Sequence, residues 1–164
     1  MLVREDTRHM DDPFHRPPSF AGVFYRDPRA ALDWLERAFG FRRSTMVTDA
    51  GGALVHAEMR FGDCLVVVDG EWCAEVASPL STGGRNTQSV YIRLDEGLDA
   101  HHGRAAAAGA RIVEAPADQV QGDRLYRALD PEGHLWTFLQ PVRAVSRAEM
   151  IAATGWSIRG WHDD

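Results

Sequence analysis

The sequence predicts an α+β fold built from two tandem βαβββ modules. A strand, a helix and three further strands can be traced twice along the chain, and each pass ends in a hairpin. The aspartates before the helices and the glycines at helix ends and hairpin turns recur at a spacing of about 70 residues: Asp27 and Asp95, Gly40 and Gly109, Gly62 and Gly133. Chance agreement of common residues is the alternative, and the shared order of elements favours a duplication.

The clearest local signal is a hairpin within Gly122 to Gln140. A strand at 124–129 and a strand at 134–140 flank the turn Asp130-Pro131-Glu132-Gly133. Proline presets φ at the first central position of a turn, glycine tolerates the conformation at its exit, and aspartate accepts bonds from turn amides. This hairpin closes the second module.

The elements of the first module are predicted from residues that start and stop helices and strands. After a strand at 19–26, Asp27 and Pro28 supply an N-cap and a first-turn proline for a helix at 29–39, which Gly40 ends. Three strands are predicted at 41–48, 53–61 and 64–68.

The second module repeats this order after a long loop. A strand is predicted at 87–94, a helix at 98–108 ended by Gly109, and strands at 110–114, 120–129 and 134–140. His101 and His102 are expected on the surface of the helix.

The predicted domain organisation has one central domain with two flanking segments. Residues 1–18 form a loosely held polar arm, and residues 19–140 form the domain, with modules at 19–69 and 87–140 joined by the loop 70–86. Residues 141–164 form a tail with a short helix near 147–153.

Composition narrows the classes of function. The net charge is −6 and no basic tract occurs, which argues against nucleic acid as a partner. Two cysteines, Cys64 and Cys73, make neither a zinc pattern nor a disulfide framework. The charged N-terminus is unlike a signal peptide, and no apolar run is long enough for a membrane span, so a cytoplasmic protein without a membrane partner is expected.

Strand alternation separates apolar from polar faces. Val55, Ala57, Met59 and Phe61 share one face of their strand, opposite His56, Glu58 and Arg60. In the second module Val90, Ile92 and Leu94 likewise oppose Ser89, Tyr91 and Arg93. The apolar faces are expected to pack under the two helices.

Three stretches give the chain its family resemblance: RDPRAALDWLERAFGF, HAEMRFGDCLVVV and YRALDPEGHLWTF. In this order, and on the duplicated pattern, they resemble the vicinal-oxygen-chelate superfamily of glyoxalases, bleomycin-resistance proteins and extradiol dioxygenases. The resemblance covers roughly Ser19 to Gln140. It implies a curved mixed sheet of two modules around a cavity, often completed in a homodimer.

The resemblance also implies where a metal would be held. Family enzymes use one side chain on each of four strands, and the equivalent positions here carry Phe20, His56, Ser89 and Thr137. Phenylalanine cannot bind a cation, and serine and threonine hydroxyls are poor ligands. We therefore expect no metal and no other cofactor.

On the family picture the polar faces line the cavity as a half-aromatic, half-charged ligand site. The predicted ligand-binding residues are Phe20, Phe24, His56, Glu58, Arg60, Ser89, Tyr91, Arg93, Arg124, Tyr126, Leu135 and Thr137. A cross-strand ion-pair ladder of Glu58, Arg60 and Arg93 is the structural alternative. Arg124 and Tyr126 could instead serve the solubility of an edge strand.

The function predicted is metal-independent binding of an antibiotic or organic metabolite, as in bleomycin-resistance proteins. The alternative is a glyoxalase-like lyase or isomerase, or a dioxygenase-type enzyme with a degenerate metal site. His56 and Glu58 are the catalytic candidates, as general base and orienting group. A structural hydrogen bond of His56 across the sheet remains open as a third interpretation.

Overall fold

The computed structural model describes residues 12–160. Its strands and helices occur in the predicted order. They are β1 Ala21–Tyr25, α1 Pro28–Phe39, β2 Arg42–Thr48, β3 Leu54–Phe61, β4 Cys64–Gly70, β5 Ser89–Arg93, α2 Leu98–Ala107, β6 Arg111–Asp118, β7 Asp123–Leu129, β8 Leu135–Pro141 and α3 Arg147–Thr154.

The strands form two four-stranded mixed sheets with the same topology. The first has the order β1-β4-β3-β2 and the second the order β5-β8-β7-β6. In each sheet the first strand of the module runs parallel to its neighbour, and the other pairs are antiparallel. This confirms the α+β fold of two βαβββ modules. Within residues 12–160 no ladder joins the two sheets, so they do not close into one continuous sheet.

Both helices pack into one core shared by the modules. Helix α1 begins as predicted, since the Asp27 side chain accepts from the Ala30 amide at 3.0 Å, and it ends at Gly40 with φ 75°. Phe39 at its end contacts Trp136 and Phe138 of the second sheet. The two helices therefore lie on the same side of the molecule and seal one apolar cluster.

Hydrogen bonds from the hairpin turn tie the second module to the first. The Tyr25 hydroxyl donates to Asp130 Oδ2 at 2.7 Å, and the same oxygen accepts from Trp136 Nε1 at 3.1 Å. The Glu132 carboxylate accepts from the amides of Arg26 and Asp27 at 2.8 and 2.9 Å. The turn that marks the repeat thus also fixes the relative position of the modules.

Two predictions about burial are wrong. His101 is only 6% exposed, because the second helix presents it to the junction of the modules, where it contacts Tyr126 and Phe39. Val55 is 57% exposed because His56 pairs with Val47 and Leu54 with Thr48, which leaves Val55 as the extra residue of a bulge.

Some element bounds also differ from the prediction. Strand β6 continues to Asp118, four residues beyond the predicted end, and β7 begins only at Asp123 because 119–122 form a turn closed by Gly122. No helix among residues 12–160 is long and apolar enough to cross a membrane. Residues 161–164 of the predicted tail lie outside the described residues.

Candidate functional site

Each sheet has a face turned away from the helices, which we call the helix-distal face. On the first sheet it carries Phe24, His56, Glu58, Arg60 and Asp69, which alternate with core residues. The face is polar because the strands place their charged residues at every second position. It contains both of the predicted catalytic candidates.

His56 lies between two carboxylates on this face. Its Nδ1 is 3.0 Å from Asp69 Oδ2, and its Nε2 is 3.4 Å from Glu58 Oε1. Asp69 is further fixed because its Oδ1 accepts from the Ala57 amide at 3.0 Å. The closer orienting group of His56 is therefore Asp69, and a neutral imidazole, with one N–H, can donate to only one of the two carboxylates.

The segment 12–18 lies against the same face. Arg16 Nε donates to Glu58 Oε1 at 2.6 Å, and Arg60 Nη2 donates to the carbonyls of Phe14 and His15 at 3.1 and 2.8 Å. Of the arm predicted to be loosely held, residues 1–11 lie outside the described residues. Residues 14–16 of this arm make hydrogen bonds with side chains of β3.

Glu58 is an ionised carboxylate in a buried position. It is 1% exposed, and burial by itself would raise its pKa. The hydrogen bonds from Arg16 and His56 and the charge of Arg16 outweigh burial and lower the pKa of Glu58; Thr45, paired with it on β2, acts in the same direction. The charged form is thus the stable one, and Arg16 makes the largest of the contributions that favour it.

An open groove of about 420 Å³ lies where the first sheet meets β5. Phe20 and Tyr91 both line it, with 45% and 57% of their surfaces exposed. Leu65 also lines the groove, and Val67, two residues further along β4, pairs with Glu58. The aromatic groove and the acidic group therefore occupy neighbouring rows of the first sheet.

The remaining predicted residues of the helix-distal faces are dispersed. Thr137 is fully buried, paired with Tyr91 and Arg127, and its hydroxyl has no hydrogen-bond partner within residues 12–160. Ser89 and Leu135 pair with each other at the start of their strands. Phe24 lines a separate cavity of about 250 Å³ beneath the loop, together with His134.

Arg124 and Tyr126 do not belong to this site. Their strand turns them toward α2, where Arg124 binds Asp99 and Asp118 and Tyr126 is fully buried against His101. The alternation on β7 places Leu125 and Arg127 on the helix-distal face instead. The prediction that this strand directs Arg124 and Tyr126 at a ligand in the cavity is therefore wrong.

The alternative ion-pair ladder is also absent from the described residues. Glu58 pairs with Arg16 and not with Arg60, and Arg93 lies 3.7 Å from the exposed Asp95. Arg93 lines a different open groove beside Asp63 and Cys64.

Sequence reasoning missed Asp69 and Arg16. The predicted strand ends at residue 68, but β4 continues to Gly70, and the alternation through Leu65 and Val67 puts Asp69 beside His56. Extending that alternation by one step would have found it. Arg16 contacts Glu58 from 42 residues away, and no local pattern signals this contact.

Comparison with known proteins assigns the family. The model of the Glyoxalase/Bleomycin resistance protein/Dioxygenase superfamily matches residues 18–138. The chain belongs to this superfamily. Uncharacterized protein Rv0887c of Mycobacterium tuberculosis is 34% identical over 131 residues, which cover 77% of this chain and 76% of the relative.

Two solved structures are similar to this chain. The crystal structure of TioX from Micromonospora sp. ML1 is 35% identical, covers 75% of this chain and 98% of TioX, and has a TM-score of 0.61. A glyoxalase/bleomycin resistance protein/dioxygenase family enzyme from Burkholderia phytofirmans PsJN is 19% identical, with coverages of 76% and 98% and a TM-score of 0.57. The latter likeness shows the fold alone.

The residues at the superfamily's metal positions do not fit a divalent metal. Phe20 has no donor atom, the Thr137 hydroxyl is enclosed, and both nitrogens of His56 face carboxylates. Within residues 12–160 no group of three or more His, Cys, Asp or Glu side chains is arranged to hold a metal. Phe20, His56, Ser89 and Thr137 therefore do not make a ligand set for a divalent metal.

Proposed function

We propose that the chain binds a small organic molecule on its helix-distal faces without a metal ion. The ligand is an antibiotic or an organic metabolite with an aromatic part. The observation that carries the proposal is the groove between the first sheet and β5, in which Phe20 and Tyr91 expose their rings. Ligand sites combine such apolar surface with a few polar groups, which here are Glu58 and its neighbours on the adjoining row.

Metal independence follows from the donor chemistry of the four positions. Elemental analysis of the purified protein is expected to find no stoichiometric metal, and EDTA is expected to leave its melting temperature unchanged. About one bound nickel, zinc, manganese or iron ion per chain would refute this part of the proposal.

Ligand binding can be measured with 1-naphthol, a neutral aromatic probe. Replacing Tyr91 with Ala removes one exposed ring and is expected to weaken binding about fivefold, the order of one aromatic contact. Trp156→Ala removes another exposed ring, from the tail outside the groove, and should leave the affinity unchanged. Equal affinity of the wild type and the Tyr91 variant would show that the groove is not the site.

Proton-transfer catalysis is a second candidate function, favoured by the 3.0 Å contact between His56 and Asp69. A histidine oriented by a carboxylate is a common general base. If His56 acts as a general base, His56→Ala abolishes turnover while the fold stays intact. If the chain is a binder, the same variant retains its affinity for 1-naphthol, and its free energy of unfolding stays within about 1 kcal/mol of the wild type.

A homodimer and a cytoplasmic location remain predictions. Sedimentation equilibrium of the full chain measures the first, with a mass of twice 18.2 kDa as the expected result.

A further inference from the structure

The Glu58 carboxylate takes its counter-ion from outside the sheet that carries it. Burying a carboxylate is costly unless a cation pairs with it. Arg60 lies two residues away on the same face, yet it donates to the carbonyls of Phe14 and His15. Arg16, from a segment without regular secondary structure, neutralises Glu58 instead. The negative charge of Glu58 is therefore compensated by a cation that does not belong to the sheet.

Arg16 fills this position only in part. It reaches Glu58 Oε1 through Nε alone, while its Nη1 lies 3.5 Å from Asp12. Glu58 Oε2 makes no hydrogen bond of normal geometry to any residue between 12 and 160. Guanidinium and amidinium groups commonly bind a carboxylate through two parallel hydrogen bonds. Glu58 Oε2 is therefore an enclosed acceptor that Arg16 leaves unpaired.

The segment that carries Arg16 is suited to being displaced. His15 holds φ at 51°, a left-handed conformation that costs free energy for a residue with a side chain. The guanidinium of Arg16 stacks on the half-exposed ring of Phe14, with Cζ 4.2 Å from the ring centroid. The Phe14 ring and the Arg16 guanidinium thus place an aromatic group and a cation side by side next to the sheet. A ligand that carries both groups has the same chemistry.

We propose that Glu58 is the subsite for a cationic nitrogen group of the ligand, which Arg16 occupies until the ligand displaces it. The ligand class is an aromatic amidine, guanidine or protonated amine. Its charged end pairs with Glu58, and its aromatic part reaches the adjoining groove of Phe20 and Tyr91. This inference rests on the proposed binding function and names the chemistry of its ligand.

Benzamidine, titrated calorimetrically into the full chain, tests the inference, with benzamide as the neutral probe of the same shape. Arg16→Ala removes the internal competitor, so benzamidine affinity is expected to rise on the order of tenfold. Glu58→Gln removes the charge and should lower the affinity at least tenfold. Arg143→Ala, which removes another arginine paired with an exposed glutamate, is the charge-matched control and should bind like the wild type.

The outcomes separate this inference from the proposed function. The inference is overturned if Arg16→Ala binds benzamidine no more tightly than Arg143→Ala, or if benzamide binds as well as benzamidine. Absence of benzamidine binding in all variants overturns it too. Because the Arg16 substitution lies outside the core, this readout stands even if Glu58→Gln does not fold. Binding of 1-naphthol that depends on Tyr91 would preserve the proposed function in each of these cases.

Discussion

His101 is predicted to make the fold lose stability in mild acid. It is buried at the junction of the modules, where its Nδ1 accepts from the Tyr126 hydroxyl at 2.6 Å and its Nε2 donates to the Phe39 carbonyl at 2.9 Å. Burial lowers the pKa of His101 from 6.5 to about 4, although the hydrogen bond to Phe39 opposes the shift. The native state therefore keeps this imidazole neutral at pH values where the unfolded chain protonates it.

The size and sign of the change in stability follow from the difference in proton binding between the native and unfolded states. Between pH 6.5 and about 4 the unfolded state binds one proton more than the native state, so stability falls as the pH falls. At about 1.4 kcal/mol per pH unit the whole window is worth about 3 kcal/mol, most of which lies between pH 7 and pH 4.5. Below the native pKa the loss levels off.

Urea denaturation of the wild type and His101→Gln at several pH values measures this term. Glutamine keeps an N–H donor for Phe39 but does not titrate, and both proteins share all carboxylates, so the difference isolates His101. We expect the wild type to lose about 2 kcal/mol more than the variant between pH 7 and pH 4.5. Parallel losses in the two proteins, or an NMR titration of His101 near 6.5, would refute the reasoning.

Two further predictions concern a hydrogen bond between the modules and a close backbone approach beside the second sheet. Tyr25→Phe removes one donor from the buried Asp130 and should lower the free energy of unfolding by about 1–2 kcal/mol in urea denaturation at pH 7; unchanged stability would mean that this bond contributes nothing net. Gly122→Ala places a Cβ 2.4 Å from the Arg143 carbonyl oxygen at φ 96°, and should cost about 2–4 kcal/mol. Gly103→Ala, with open space in the interior of α2, should instead gain about 0.5–1 kcal/mol; equal effects of both alanines would contradict the steric argument.

The local signals in the sequence were sufficient for the fold. Asp27 with Pro28 starts α1, Gly40 ends it, and the Asp130 turn joins β7 to β8, because caps and turns depend on residues a few positions apart. The alternation of β3 placed His56 and Glu58 on one face for the same reason. These features are fixed by backbone geometry, which short sequence patterns encode.

The wrong and the missing predictions concern residues whose positions depend on distant contacts or on weak sequence patterns. Helix α2 is rich in alanine, so its apolar stripe gave no direction, and His101 was assigned to the surface although it closes the core. The sequence of β7 does not indicate which of its faces packs against the helices, because the partner of Arg124, Asp99, lies on α2. The contact of Arg16 with Glu58 joins an irregular segment to a strand, and no periodicity predicts such a pair.

The central claim is that the helix-distal faces bind an organic ligand without a metal. Native mass spectrometry of the full chain, purified directly and again after dialysis against EDTA, tests this claim on one sample. We expect a non-covalent organic adduct of the same mass before and after dialysis, with no metal adduct in either spectrum. A metal adduct near one per chain, lost together with the organic adduct on chelation, would contradict it.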